Sequence, residues 1–192
     1  MTEVGHVNPR KTLLIMLVLL FAGGLTIYAN TAGLSVSFNK YRSIAATEVD
    51  GKVYLDLEDA AEKMHAIVVR NGSKVALHKP NVNLIPIFEQ NTTRLYKGLT
   101  TTFWVHITVD GLELKVSELK LTLTSPYEEE VVLMRIDTSD PALQGGEFIQ
   151  KVSDPVKYHF KYAAKYYLRL WLKPEGDDRF HLVGERALYV TS

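Results

Sequence analysis

The apolar positions change their period along the chain, and each change marks a different kind of element. Residues 13–29, LLIMLVLLFAGGLTIYA, carry no charge and leave no polar face at any helical spacing, unlike the one-sided helix of a water-soluble core. Near residue 50 the spacing turns mixed. Asp50-Gly51 is a turn pair, Lys52-Val53-Tyr54-Leu55 is strand-like, and Leu57, Ala60, Ala61 and Met64 fall on one face of a helix. Asp56 is placed to cap that helix, and Glu58 and Asp59 lie in its first turn, where the helix dipole favours negative charge. Residues 66–69 and 74–77 read as strands joined by a tight turn at Asn71-Gly72. With a short strand over 34–38, this stretch predicts an α+β mini-domain.

After HKPNVN, residues 78–83, read as a linker around Pro80, the period settles to two. Phe103, Val105, Ile107 and Val109 alternate with Trp104, His106 and Thr108, and Leu119, Leu121 and Leu123 alternate with Lys120, Thr122 and Thr124. Further strands are predicted over 131–136, 156–162, 166–173 and 182–190, separated by the turn-rich pieces TSPYEEE, DTSDPALQGG and PEGDD. About seven short strands at this spacing predict an all-β, immunoglobulin-like sandwich.

Arg10 and Lys11 before the apolar run, and the small polar NTAG after it, give the order of an export signal. The run lies between the roughly 7–15 residues of a signal-peptide core and the about 20 of a membrane span, so a cleaved signal peptide and a signal anchor both stay open. In either case the positive residues place the N-terminus inside and the rest outside. The expected organisation is a signal peptide or anchor helix over 1–32, an α+β module over 33–79, and a sandwich over 84–192.

Composition narrows the partners. In 192 residues, 46% hydrophobic and 23% charged, the chain has enough apolar material for one medium core or two small ones. Basic and acidic residues number 22 each, so no global field collects nucleic acid. Cysteine is absent, which removes disulfides, thiolate catalysis, Cys-ligated zinc and a lipoprotein anchor, and fits the surface of a Gram-positive bacterium.

Two resemblances refine the architecture. Gly51, Val53, Leu55, Leu57, Ala60, Ala61, Glu62, Met64, Ala66, Val68 and the Asn71-Gly72 hairpin together resemble the copper amine oxidase N-terminal-like, or stalk, domain. Asp56 and Asp59 depart from that pattern, where Pro and a neutral residue are usual. The resemblance implies an accessory module of exported proteins and implies no copper, since the oxidase reaction belongs to a much larger domain. KYAAKYYLRLWL, residues 161–172, looks like the corner and penultimate strand of bacterial immunoglobulin-like domains, an analogy of fold that says little about activity.

Catalytic signals are missing. The six His residues are scattered without close pairs, no G-x-S-x-G turn or Gly-rich phosphate loop occurs, and no cofactor or metal is expected. Asp137-Thr138-Ser139-Asp140 and Asp177-Asp178 have the oxygen ligands of a weak calcium loop, but read first as solvated turns, and Glu128-Glu129-Glu130 reads as a charged hairpin tip. The candidate partner-binding surface is aromatic. If Tyr166, Leu168, Leu170 and Leu172 point inward, then Tyr167, Arg169 and Trp171 face out, as do Trp104 and His106 on another strand. The alternative is that this stripe packs against the first module or pairs with neighbouring side chains. The sequence therefore predicts a non-catalytic envelope protein, exported or tethered, that binds or scaffolds a cell-wall polymer or another surface protein. A small wall-active enzyme or its accessory subunit is the alternative.

Overall fold

The computed structural model describes residues 34–38, 42–89, 94–144 and 146–192. The signal or anchor segment over 1–32 lies outside the described residues. Among those described, no helix is long and apolar enough to cross a membrane. The chain divides into two compact units, Met1–Ala60 and Ala61–Ser192.

In the first unit, β1 (Ser35–Phe38), β2 (Arg42–Val49) and β3 (Lys52–Leu55) form an antiparallel sheet in that order. Val49 pairs with Lys52, leaving Asp50 and Gly51 as a two-residue loop with φ of 52° and 72°. Both central residues in the left-handed region make this the hairpin turn whose twist matches the strands. β2 was not foreseen: RSIAATEV holds few apolar residues, and of those whose burial is described Ile44 and Ala46 are buried.

Helix α1 (Leu57–Met64) begins where predicted, with Asp56 Oδ1 accepting from Asp59 N–H at 2.8 Å. It ends with Ala66 N–H donating to Ala61 C=O and His65 N–H to Glu62 C=O, while His65 takes the left-handed conformation, φ 56°. This is the Schellman closure, with His where Gly is usual.

The second unit opens with the hairpin β4 (Ile67–Asn71) and β5 (Lys74–His78). Asn71 pairs with Lys74, so the loop residues are Gly72 and Ser73, one place beyond the predicted pair. Gly72 alone has positive φ, 58°, as a turn with Gly first requires. Strand β6 (Asn81–Phe88) begins inside the stretch read as linker.

The rest is β7 (Leu95–Tyr96), β8 (Thr100–Asp110), β9 (Val116–Thr124), β10 (Glu130–Asp137), a single 3-10 turn (Pro141–Leu143), β11 (Ile149–Val152), β12 (Val156–His159), β13 (Lys165–Pro174) and β14 (His181–Thr191). A five-stranded sheet runs β10-β9-β13-β14-β7, with β7 parallel to β14 and every other pair antiparallel. In a four-stranded sheet, β6 pairs with one edge of β8 while β11 and β12 follow one another along its other edge. Phe103, Val105, Ile107 and Val109 of the second sheet and Leu119, Leu121, Leu123, Tyr166, Leu168, Leu170 and Leu172 of the first share one buried cluster, which also takes in Ile67 of β4. The unit is a mostly-β, sandwich-like fold.

Two contacts fix its details. Tyr166, buried at the start of β13, accepts a hydrogen bond from Tyr162 N–H at 3.0 Å and so ties the strand to the corner before it. Gly184 of β14 is buried where a Cβ would lie 2.7 Å from Val82 Cβ of β6, so its missing side chain lets the two sheets approach.

Candidate functional site

The five aromatic, His and Arg residues singled out in the sequence occupy two surfaces. On β8 and β13 the residues between them, Phe103, Val105, Tyr166, Leu168 and Leu170, enter the shared core. Trp104 and His106 therefore project from the outer side of the four-stranded sheet, and Tyr167, Arg169 and Trp171 from the outer side of the five-stranded sheet. The sandwich separates the two groups.

On the five-stranded face the predicted residues are engaged by neighbouring side chains, while Val132 and Tyr189 of the same face are 54% and 63% exposed. Trp171 Nε1 donates to Thr122 Oγ1 at 3.0 Å, and Thr122 donates to Glu130 Oε2 at 3.3 Å. Lys120 Nζ sits 5.0 Å from the Trp171 ring centre and 5.1 Å from that of Phe180, whose ring also lies 5.3 Å from the Arg135 guanidinium. Cations and rings thus alternate from β13 across β9 to β10, each contact favoured by the negative face of the ring. Glu118 receives Arg135 and Lys173, the latter at 3.1 Å, and these hydrogen bonds hold its carboxyl below the usual range. Arg169 bonds Glu185 at 2.8 Å and lies 5.5 Å from the Tyr167 ring. Lys120, Phe180, Arg135 and Glu118 were not foreseen, because their meeting depends on the register of three strands and a returning loop.

The four-stranded face is different in kind. Ile85 pairs with His106 and His106 with Val152, while Ile87 pairs with Trp104. Ile85, Ile87 and Val152 are 40%, 48% and 50% exposed, so they form an apolar surface around the two predicted residues rather than a covered one. The polar contact at its centre is His106 Nε2 to Gln150 Nε2, 3.0 Å, which requires the ring nitrogen to accept from the amide. The sequence carried a signal for this face: in LIPIF, residues 84–88, apolar side chains occupy both parities of one strand.

The acidic turns are spent on the protein itself. Asp137 accepts from Ser139 N–H and hydroxyl, at 2.9 and 2.5 Å, and both bonds depress its pKa. Asp140 caps the 3-10 turn through Ala142 N–H and pairs with Lys151 Nζ at 2.5 Å, chiefly the latter holding its carboxyl low. Asp177 is pushed up by burial, but the His181 ring at 2.7 Å and the Arg179 N–H outweigh this and leave it below the ordinary value. Among the described residues, no three His, Asp or Glu side chains converge as a metal would need. Glu128 and Glu129 do stand at a hairpin tip, beside Tyr127, whose ring meets Tyr162 edge-on at 4.7 Å. Two further His side chains have local partners: His78 reaches Glu113 at 3.3 Å, and His159 reaches Thr100 at 3.2 Å.

The chain matches no protein-family model and no curated protein.

Proposed function

We propose that this is a non-catalytic cell-envelope protein, exported or tethered by its N-terminal segment, whose sandwich is displayed as a binding or scaffolding module. The observation that carries the reading is the contrast between the two outer faces. One holds Arg169 and Trp171 in ion-pair and cation–ring contacts, whereas the other leaves Ile85, Ile87 and Val152 exposed around Trp104 and His106. An aromatic flanked by apolar side chains on a flat sheet is the composition of an interface centre.

An immunoglobulin-like topology supports the display role. The β6-β8-β11/β12 sheet faces a β10-β9-β13-β14 sheet, the short β7 runs parallel to the last strand, and the Tyr166 hydroxyl holds a tyrosine corner at Tyr162. The turn, strand and capped helix of residues 50–66 serve as an adaptor of the stalk kind. A cell-wall polymer or another surface protein is the partner class on this reading.

The absence of cysteine supplies the test. Ser192→Cys in the full-length chain is expected to react with a membrane-impermeant maleimide in intact cells. Labelling only after lysis contradicts the reading.

A further inference from the structure

We infer that the Asp154–Pro155 peptide bond is a self-cleavage site, in which the Asp154 carboxylate attacks its own carbonyl carbon while the Ser153 hydroxyl holds the reacting oxygen.

Residues 153–155 form the break between β11 and β12, and Asp154 and Pro155 are exposed there while Ser153 is buried beneath them. The Ser153 hydroxyl accepts from Val105 N–H at 3.0 Å and donates at 2.9 Å to Asp154 C=O, the carbonyl of the Asp154–Pro155 bond. The first contact fixes the hydroxyl, and the second puts a donor on the oxygen where negative charge develops when that carbonyl is attacked. The nitrogen of the bond belongs to a proline. It is a tertiary amide nitrogen with no hydrogen to give to a strand ladder, and in an exposed break it is open to a solvent proton.

The nucleophile is supplied by the same residue. A following proline pushes Asp154 to extended backbone, which sets its Cβ over a face of its own carbonyl rather than in the carbonyl plane. From there a carboxylate oxygen closes a succinic anhydride ring on the carbonyl carbon. Among the described residues no hydrogen bond or ion pair holds the Asp154 carboxylate back. The Oδ–C bond forms, the C–N bond to Pro155 breaks, and the proline nitrogen leaves with a solvent proton as a secondary amine. Water then opens the anhydride to the two carboxyls of a terminal Asp154, so one water is consumed across the peptide bond and no cofactor is needed.

The chain carries its own control in a second Asp-Pro pair, Asp140-Pro141. Asp140 is also extended, with ψ 127°, and its carbonyl also accepts a hydrogen bond, from Leu143 N–H at 3.0 Å. The difference lies in the carboxylate. Asp140 Oδ1 accepts from Ala142 N–H at 2.9 Å and Oδ2 binds Lys151 Nζ at 2.5 Å, so an attack must first give up one of these bonds. The fold exposes one bond to its carboxylate and shields the other. A cut at residue 154 also leaves the pieces assembled, because β11 and β12 each keep their pairing to β8, and β13 stays between β9 and β14.

Incubation of the full-length chain at about pH 5, where folded stability is still level, with and without urea, tests the site by intact mass. In the folded chain, fragments 1–154 and 155–192 are expected. Cutting at Asp140–Pro141 should be slower by about tenfold or more, the scale set by releasing one charge-assisted hydrogen bond. Urea frees both carboxylates and should bring the two rates together. The cut chain should elute at its uncut size until it is denatured. Asp154→Ala, a change at an exposed position, should abolish the cut. Ser153→Ala should slow it by about tenfold or more, with Asp140–Pro141 still protected in the same sample as the sign that the variant is folded. If that protection is lost, the wild type and Asp154→Ala decide. No cut in the folded chain, equal rates at the two bonds while folded, a cut that survives Asp154→Ala, an unslowed cut in folded Ser153→Ala, or fragments that part without denaturant overturns the inference.

Discussion

Gly184 shows how one atom sets the spacing of the two sheets. A methyl group there meets Val82 Cβ at 2.7 Å, and Cγ1 of the same side chain is also in its way. Gly184→Ala is therefore expected to cost about 1–3 kcal/mol of stability by denaturant unfolding, with part recovered when Val82→Ala is added. Tyr166 makes the second single-residue claim. Its ring packs edge-on against Phe160 at 5.1 Å, and burial pushes its phenol pKa up. Tyr166→Phe keeps the ring and removes the acceptor of Tyr162 N–H, so the expected loss is about 1–2 kcal/mol in the same assay. The alternation through residues 166–172 made the inward Tyr legible. Gly184 was not, because its neighbour lies on a strand far away in sequence.

Ser153 interrupts what would otherwise be one long strand along β8. Its backbone N–H donates to Val105 C=O, its hydroxyl accepts from Val105 N–H at 3.0 Å and donates to Asp154 C=O at 2.9 Å, and the side chain is buried. Ser153→Ala leaves a buried N–H without its partner, an expected loss of about 1–3 kcal/mol at the β11–β12 break, readable as a lower unfolding midpoint. Elements of this size were unevenly legible. The cap at Asp56 and the alternating strands β8, β9 and β13 announce themselves because their signals are local. β11 does not: IQKV holds one buried side chain, Ile149, and an inward lysine satisfied by Asp140 from another element. β6 was obscured by Pro80 and the polar residues before it, although its pairing with β8 runs from Asn81 to Phe88.

For the whole molecule, the division of labour between the two outer faces has consequences in pH and in mutation. Hydrogen bonds from Arg135 and Lys173 lower the pKa of Glu118 below 4.5, and that from Lys151 lowers Asp140 below 3.8. Both carboxyls hold protons more weakly when folded than when unfolded, so the unfolded chain takes up more protons in acid and stability rises with pH through that range. Unfolding midpoints are expected to be level from neutral pH to about pH 5 and to fall progressively below it, and Arg135→Met should make that fall shallower. The sequence placed Trp104 and Trp171 on outer faces alike, and did not distinguish a Trp engaged by cross-strand partners from one set among exposed apolar side chains, since that depends on which side chains the registers bring together. The most direct measurement is denaturant unfolding of Trp104→Ala and Trp171→Ala side by side in dilute protein. The account predicts that Trp171→Ala loses more than about 1.5 kcal/mol, through the Thr122 hydrogen bond and the Lys120 contact. Trp104→Ala should stay within roughly 0.5 kcal/mol of the wild type, as a side chain held for a partner does. Equal losses, or the larger loss at Trp104, would contradict the assignment of one face to stability and the other to binding.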